Sequence, residues 1–217
     1  MYFIELERFG WNWLTVSFLC ISAITTWQYF AFAGQAAKIW DSESAEAASI
    51  TQNTFRCFTT AASIVYGLMS HNLVITYTGG LTIPGLFIMW GLWKFGTPVK
   101  KDQIALIVCI IGMLLFLVPI NPAWVFAGFM VVGLLPLFDQ VHVLLKTKVR
   151  GVLHGGMLLT FVVKNVALTV FSFAAQEKVY MIFVPYYLAV TVWQYVLWWK
   201  YGAETETKLP RNIETAD

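Results

Sequence analysis

A handful of polar side chains stand inside runs that are otherwise apolar, and these are the groups with chemistry to offer. Asp139 and Gln140 interrupt GLLPLFDQVHVLL (133–145), Asn53 and Arg56 lie in an earlier run, Lys164 and Asn165 in a later one, Tyr187 and Gln194 in the last, and Gln35 near the end of the first. A charged side chain at the centre of a bilayer costs several kcal/mol, so such residues face a protein interior or a wet cavity. Their spacing supports this. Asn53, Arg56, Thr60 and Ser63 fall at helical intervals on one face, as do Tyr187, Thr191, Gln194 and Trp198. Gln28 and Gln35 share a face seven residues apart, Pro136, Asp139, Gln140 and Val143 form a stripe, and Thr160 and Lys164 are one turn apart. These stripes predict a polar cavity between helices. The chemistry is ion pairing, hydrogen bonding to a polar solute and proton exchange at a carboxylate. No metal-ligand cluster, phosphate-cradling Gly loop or nucleophile elbow is present, so neither an enzyme nor a cofactor is expected.

The elements that position these residues follow from composition. Of 217 residues, 59% are hydrophobic and 12% charged, with a mean hydropathy of +0.68. That is too apolar for a soluble exterior. Runs of the roughly 20 residues needed to cross a hydrocarbon core recur along the chain. Seven spans are predicted: Trp13–Trp40, Thr51–Met69, Leu73–Phe95, Asp102–Val118, Trp124–Leu145, Val152–Ala174 and Val179–Trp199. The expected fold class is therefore all-α, polytopic and membrane-embedded. Lys38, Lys94, Lys100, Lys101, Lys146, Lys148, Arg150, Lys200, Lys208 and Arg211 fall on one side, against Arg8 and Lys178 on the other. The positive-inside rule puts the N-terminus outside and the C-terminus in the cytoplasm of a plasma or bacterial inner membrane. Cys20, Cys57 and Cys109 all lie in spans, which argues against a disulfide framework. Without a charged n-region or a small-residue cleavage site no cleavable signal peptide is expected, and the sequence shows no glycosylation sequon. At about 1.5 Å rise per residue, Lys164 sits roughly 15 Å from the cytoplasmic end, and Asp139 and Arg56 roughly 9 Å. Asp139 is thus expected to face the cavity, paired with Lys164 or Arg56. The pair either fixes helix packing or touches the substrate or a coupled proton.

The chain also matches itself. FAGQAAKIWDSESAEAASI and a span ending LWKFG are followed by LFDQVHVLLKTKVRGVLHG and a span ending WWKYG, which aligns Gln35 with Gln140 and Gly96 with Gly202. A Gln near the cytoplasmic end of the first helix of each triplet, followed by a short loop, resembles the PQ-loop motif. With the outside N-terminus, residues 14 to 202 resemble the PQ-loop/SWEET transporter superfamily. The resemblance implies two parallel three-helix repeats joined by an inverter helix: a first repeat over 1–97, a linker helix over 98–120, a second repeat over 121–202 and a disordered cytoplasmic tail over 203–217. It also implies alternating access through a midplane cavity. The chain departs from the motif in two places, with Gly34 before Gln35 and Asp139 before Gln140 where the family has Pro. Gly34 and Pro136 are then candidate hinges, and Pro84 and Pro185 candidate bends in the third and seventh spans. The asparagine pair of the family's sugar carriers has no evident counterpart.

The expected function is a carrier for a small polar solute (amino-acid-like, carboxylate or sugar), with proton coupling as one version of the mechanism. The rival is a receptor with a similar seven-helix fold, like the KDEL receptor, which binds without flux. A retinal protein is disfavoured because the last span has no internal Lys. The expected partners are a small-molecule substrate, membrane lipids and, as one option, further copies of the chain, with no nucleic acid.

Overall fold

The computed structural model describes residues 3–208, with side-chain environments up to Gly202. The described residues form helices and no strand: α1 (Ile4–Glu7), α2 (Trp13–Ser42), α3 (Ile50–Met69), α4 (Leu73–Gly79), α5 (Thr82–Phe95), α6 (Lys100–Leu114) with a 3-10 turn at Leu115–Leu117, α7 (Pro122–Thr147), α8 (Gly155–Ala175) and α9 (Lys178–Lys208). Among the described residues, five segments are long and apolar enough to cross a membrane: Trp13–Ser42, Leu73–Phe95, Pro122–Thr147, Gly155–Ala175 and Lys178–Gly202. Their outward faces carry large apolar side chains such as Phe30, Trp90, Trp124, Leu135 and Phe173, all more than half exposed. Lipid is the solvent that tolerates such a surface.

The two remaining expected spans are helices of a different character. α3 is long enough but polar, because Gln52, Asn53, Thr54, Arg56, Thr60 and Ser63 face other helices or a cavity rather than lipid. α6 has only 15 residues, about 22 Å of helix, and tightens into a 3-10 turn instead of continuing to Val118. The third span is broken: α4 stops at Gly79 and α5 starts at Thr82, with Gly80 and Leu81 between them. Pro84 is then the third residue of α5, where a missing N–H costs nothing. α9 continues to Lys208, so residues 203–208 extend a helix instead of opening a disordered tail; Ala203, Glu204 and Glu206 are all tolerated helix formers. Residues 209–217 of that expected tail lie outside the described residues.

Helix starts are set by local chemistry. Asn12 Oδ1 accepts from Thr15 N at 2.9 Å, Ser49 Oγ from Gln52 N at 3.0 Å, and Asn72 Oδ1 from Ile75 N at 3.0 Å. Each satisfies a helix-start N–H that has no partner within its own helix. Buried Glu5 accepts from Leu73 N at 3.0 Å and Val74 N at 3.1 Å, which ties α1 to the start of α4. α3 packs against α4, α5, α6 and α7, while α2 packs on α5 and α8, and α9 on α7 and α8. Two large apolar cores result, beside a small cluster of Phe55, Ala105 and Cys109 between α3 and α6. One, around Ile39, Leu92, Leu144 and Leu153, lies toward the end rich in Lys and Arg, called here the basic end. The other, around Tyr66, Ile75, Phe126 and Phe171, lies toward the far end.

Candidate functional site

Between the two cores, α3, α7, α8 and α9 leave a cavity of about 100 Å³. It is lined by Arg56 of α3, Gly133 of α7, Lys164 and Asn165 of α8, and Tyr187 and Thr191 of α9. Arg56 Nη1 donates to Asn53 Oδ1 at 3.3 Å, and its guanidinium lies 4.2 Å from the centre of the Phe161 ring. That contact gives the cation a polarisable cover in place of water. Lys164 is 8% exposed and, among the described residues, has no ion-pair partner. Among the described residues, no carboxylate lines the cavity. Asn165 Nδ2 donates to Thr191 Oγ1 at 3.2 Å, and Tyr187 Oη to the Met130 carbonyl at 3.0 Å. A Cβ on Gly133 would stand 2.5 Å from that Tyr187 oxygen, so only glycine leaves room for the bond. Gln194 sits just behind the wall: its Nε2 donates to Leu137 O at 2.8 Å, and its Oε1 accepts from Gln52 at 3.4 Å. Of the residues expected to surround a cavity, Arg56, Lys164, Asn165 and Tyr187 line one together, with Asn53 and Gln194 bonded to its wall.

Gln35 and Gln140 do something else. They sit at the basic end, nearly fully buried, and each holds a loop. Gln140 Nε2 donates to Ala47 O at 2.6 Å while its Oε1 accepts from Ser49 N at 2.7 Å. Gln35 Nε2 donates to Val152 O at 2.9 Å while its Oε1 accepts from His154 N at 2.6 Å. Each amide therefore fastens the loop between the other pair of helices, α2–α3 or α7–α8. The residues correspond at one constant separation of 105: Gln35 with Gln140, Ala47 with Val152, and Ser49 with His154. The correspondence extends to the helix caps. Ser49 accepts from Gln52 N, and His154 Nδ1 from Met157 N at 3.3 Å. It also reaches the left-handed residues that end α2 and α7, Glu43 (φ 46°) and Lys148 (φ 53°). A further bond, Val152 N to Glu46 O at 3.0 Å, joins the two loops directly.

Asp139 is not in the cavity. Its carboxylate accepts from Lys101 Nζ at 2.6 Å, at the start of α6, and from the Ser49 hydroxyl. Arg56 and Lys164, the partners expected for it, line the cavity without it. The reason is rotational: adjacent helical residues point about 100° apart, so Gln140 turns inward while Asp139 turns toward α6 and the basic surface. It lines a crevice with Lys101 and Asp102, whose Oδ1 accepts from the Thr51 hydroxyl. Lys101 and Ser49 were not singled out by spacing. Ser49 carried a signal, the Ser-x-x-Gln helix start with Gln52; Lys101 carried none beyond its charge. Phe161 and Tyr180, also at the cavity, were hidden in apolar text. Among the four hinge candidates, α2 runs unbroken through Gly34, α7 through Pro136 and α9 through Pro185, while the break near Pro84 falls at Gly80–Leu81.

No protein-family profile matches the chain, and no curated protein sequence does. Its backbone is similar to a solved structure of a eukaryotic SWEET transporter, with a TM-score of 0.61 at 10% identity, covering 88% of this chain and 97% of that one. The chain is an all-helical, membrane-type protein with a SWEET-like fold.

Proposed function

We propose that the chain is a membrane carrier that passes a small polar solute through the cavity around Arg56 and Lys164 by alternating access. In this reading α2–α5 and α7–α9 are two parallel repeats, α6 is the inverter between them, and the basic end faces the cytoplasm. The carrying observation is the pair of glutamine clamps related by a constant 105 residues, on a backbone that shares the fold of a SWEET transporter. Two like halves, each fastening the other's loop, form a gate that opens as the halves rock apart. Carriers built from parallel repeats place their site at the repeat interface near the midplane, and in this reading the cavity is that site. At about 100 Å³ it is well below the roughly 300–1,000 Å³ of ligand-filled pockets, as suits a closed state. Gly34, Pro136 and Pro185, each inside a long helix, are the proposed flexing points.

The test is counterflow. Purified protein in liposomes preloaded with unlabelled solute should accumulate labelled solute transiently, and Gln35→Leu/Gln140→Leu should alter that flux. The uncompensated cations also suit a KDEL-receptor-like protein that grips an acidic group. Saturable binding with no counterflow supports that reading and contradicts the carrier.

A further inference from the structure

We infer that the solute is a small organic anion, and that its carboxylate is held by Lys164 with Arg56 alongside. This rests on the cavity being the solute site and names the class of solute.

The inference begins from which donors remain free. Four of the wall's neutral hydroxyls already donate to the protein's own carbonyls: Thr60 to Cys57 O at 2.8 Å, Ser63 to Thr59 O at 2.9 Å, Thr191 to Tyr187 O at 2.9 Å and Tyr187 to Met130 O at 3.0 Å. Asn165 is engaged with Thr191. A neutral polyol that needs donors for its oxygens would find those four protons already taken, which leaves the two cations as the strong donors. The Lys164 ammonium, more than nine-tenths buried, has no hydrogen bond or ion pair among the described residues. Arg56 has one weak hydrogen bond at 3.3 Å and a ring face. The two basic side chains share a space that, among the described residues, no carboxylate lines.

A buried charge without a partner is costly, and an anionic ligand removes that cost for both cations at once. The apolar part of the lining decides between an organic and an inorganic anion. Met130, Leu137, Leu168 and Val184 face the same space and offer nothing to a fully hydrated ion, but they fit a carbon skeleton. Asp139, which would have neutralised the site, is held outside it by Lys101 and Ser49.

The experiment pairs solutes that differ mainly in charge: succinate with succinamide, glutamate with glutamine, and glucuronate with glucose, with phosphate and chloride as inorganic anions. Melting temperature and counterflow are measured for the full chain, Lys164→Gln and Lys164→Arg. At least one organic anion is expected to stabilise the wild type where its neutral partner does not. Its affinity should weaken on the order of 30-fold or more in Lys164→Gln and recover in Lys164→Arg. If Lys164→Gln does not fold, Arg56→Gln serves with the same expectation.

The inference is overturned if neutral members bind as tightly as their anions, if no pair shows a preference for charge, if phosphate or chloride stabilises as strongly as the organic anions, or if Lys164→Gln retains full affinity. Anion-selective stabilisation without counterflow supports this inference and overturns the carrier reading. Counterflow of glucose or glutamine alone does the reverse.

Discussion

Gln140→Leu is the perturbation that bears most directly on the gate. The side chain is nearly the same size but can neither donate nor accept. It strips the partner from Ala47 O and from Ser49 N, on residues only 4% and 3% exposed. A buried backbone group left unpaired costs about 1–3 kcal/mol, so the closed basic end should lose about 2–6 kcal/mol relative to an open form in which water reaches both groups. At 1.4 kcal/mol per factor of ten, the open population rises roughly 30-fold at the lower bound. The readout is a cavity cysteine at Ser63→Cys, in a background with Cys20, Cys57 and Cys109 replaced by alanine, labelled by a membrane-impermeant thiol reagent from the basic face. Gln140→Leu should speed labelling by about that factor, Gln35→Leu should act the same way, and labelling from the far face should slow. Unchanged labelling in a folded Gln140→Leu protein would refute the idea that this bond pair closes the gate.

Other positions give sharp expectations. Gly133→Ala drives a methyl into the Tyr187 oxygen and should destabilise by about 1–3 kcal/mol; adding Tyr187→Phe, which removes that oxygen, should recover part of the loss in a double-mutant thermal melt. Asp139→Asn breaks an ion pair whose Lys101 end is 54% exposed, so it should change stability by less than about 1 kcal/mol and leave cavity binding intact. Loss of solute binding in Asp139→Asn would return that carboxylate to the site. Glu5→Gln weakens the carboxylate at the start of α4 and should cost about 1 kcal/mol, seen as faster amide exchange at Leu73 and Val74.

Particular residues show what the sequence made legible. The apolar runs located the long helices because lipid leaves one solution for the backbone. The polar stripes of α3, α8 and α9 brought Arg56, Lys164, Asn165 and Tyr187 to one cavity because helical periodicity fixes relative facing within a segment. Gln35 and Gln140 could be aligned with each other in the sequence, yet the bonds they make were not readable, since each bonds to a loop more than 90 residues away. Asp139 failed for a related reason. A stripe that includes both 139 and 140 spans too wide an arc, and which side meets α6 depends on how the helices pack. The interruption between α4 and α5 could have been read from Gly79-Gly80 followed by Pro84, a breaker signal overridden by the unbroken hydropathy of Leu73–Phe95.

Alternating access itself is most directly tested by distances at both ends of one molecule. Spin labels at Asp41 and Lys146, exposed at the basic ends of α2 and α7, report one mouth; labels at Trp13 and Trp124, exposed at their far ends, report the other. The account predicts two populations in opposition, with the basic-end distance lengthening as the far-end distance shortens, and Gln140→Leu favouring that state. Distances that stay fixed at both ends, or that widen together, would contradict it.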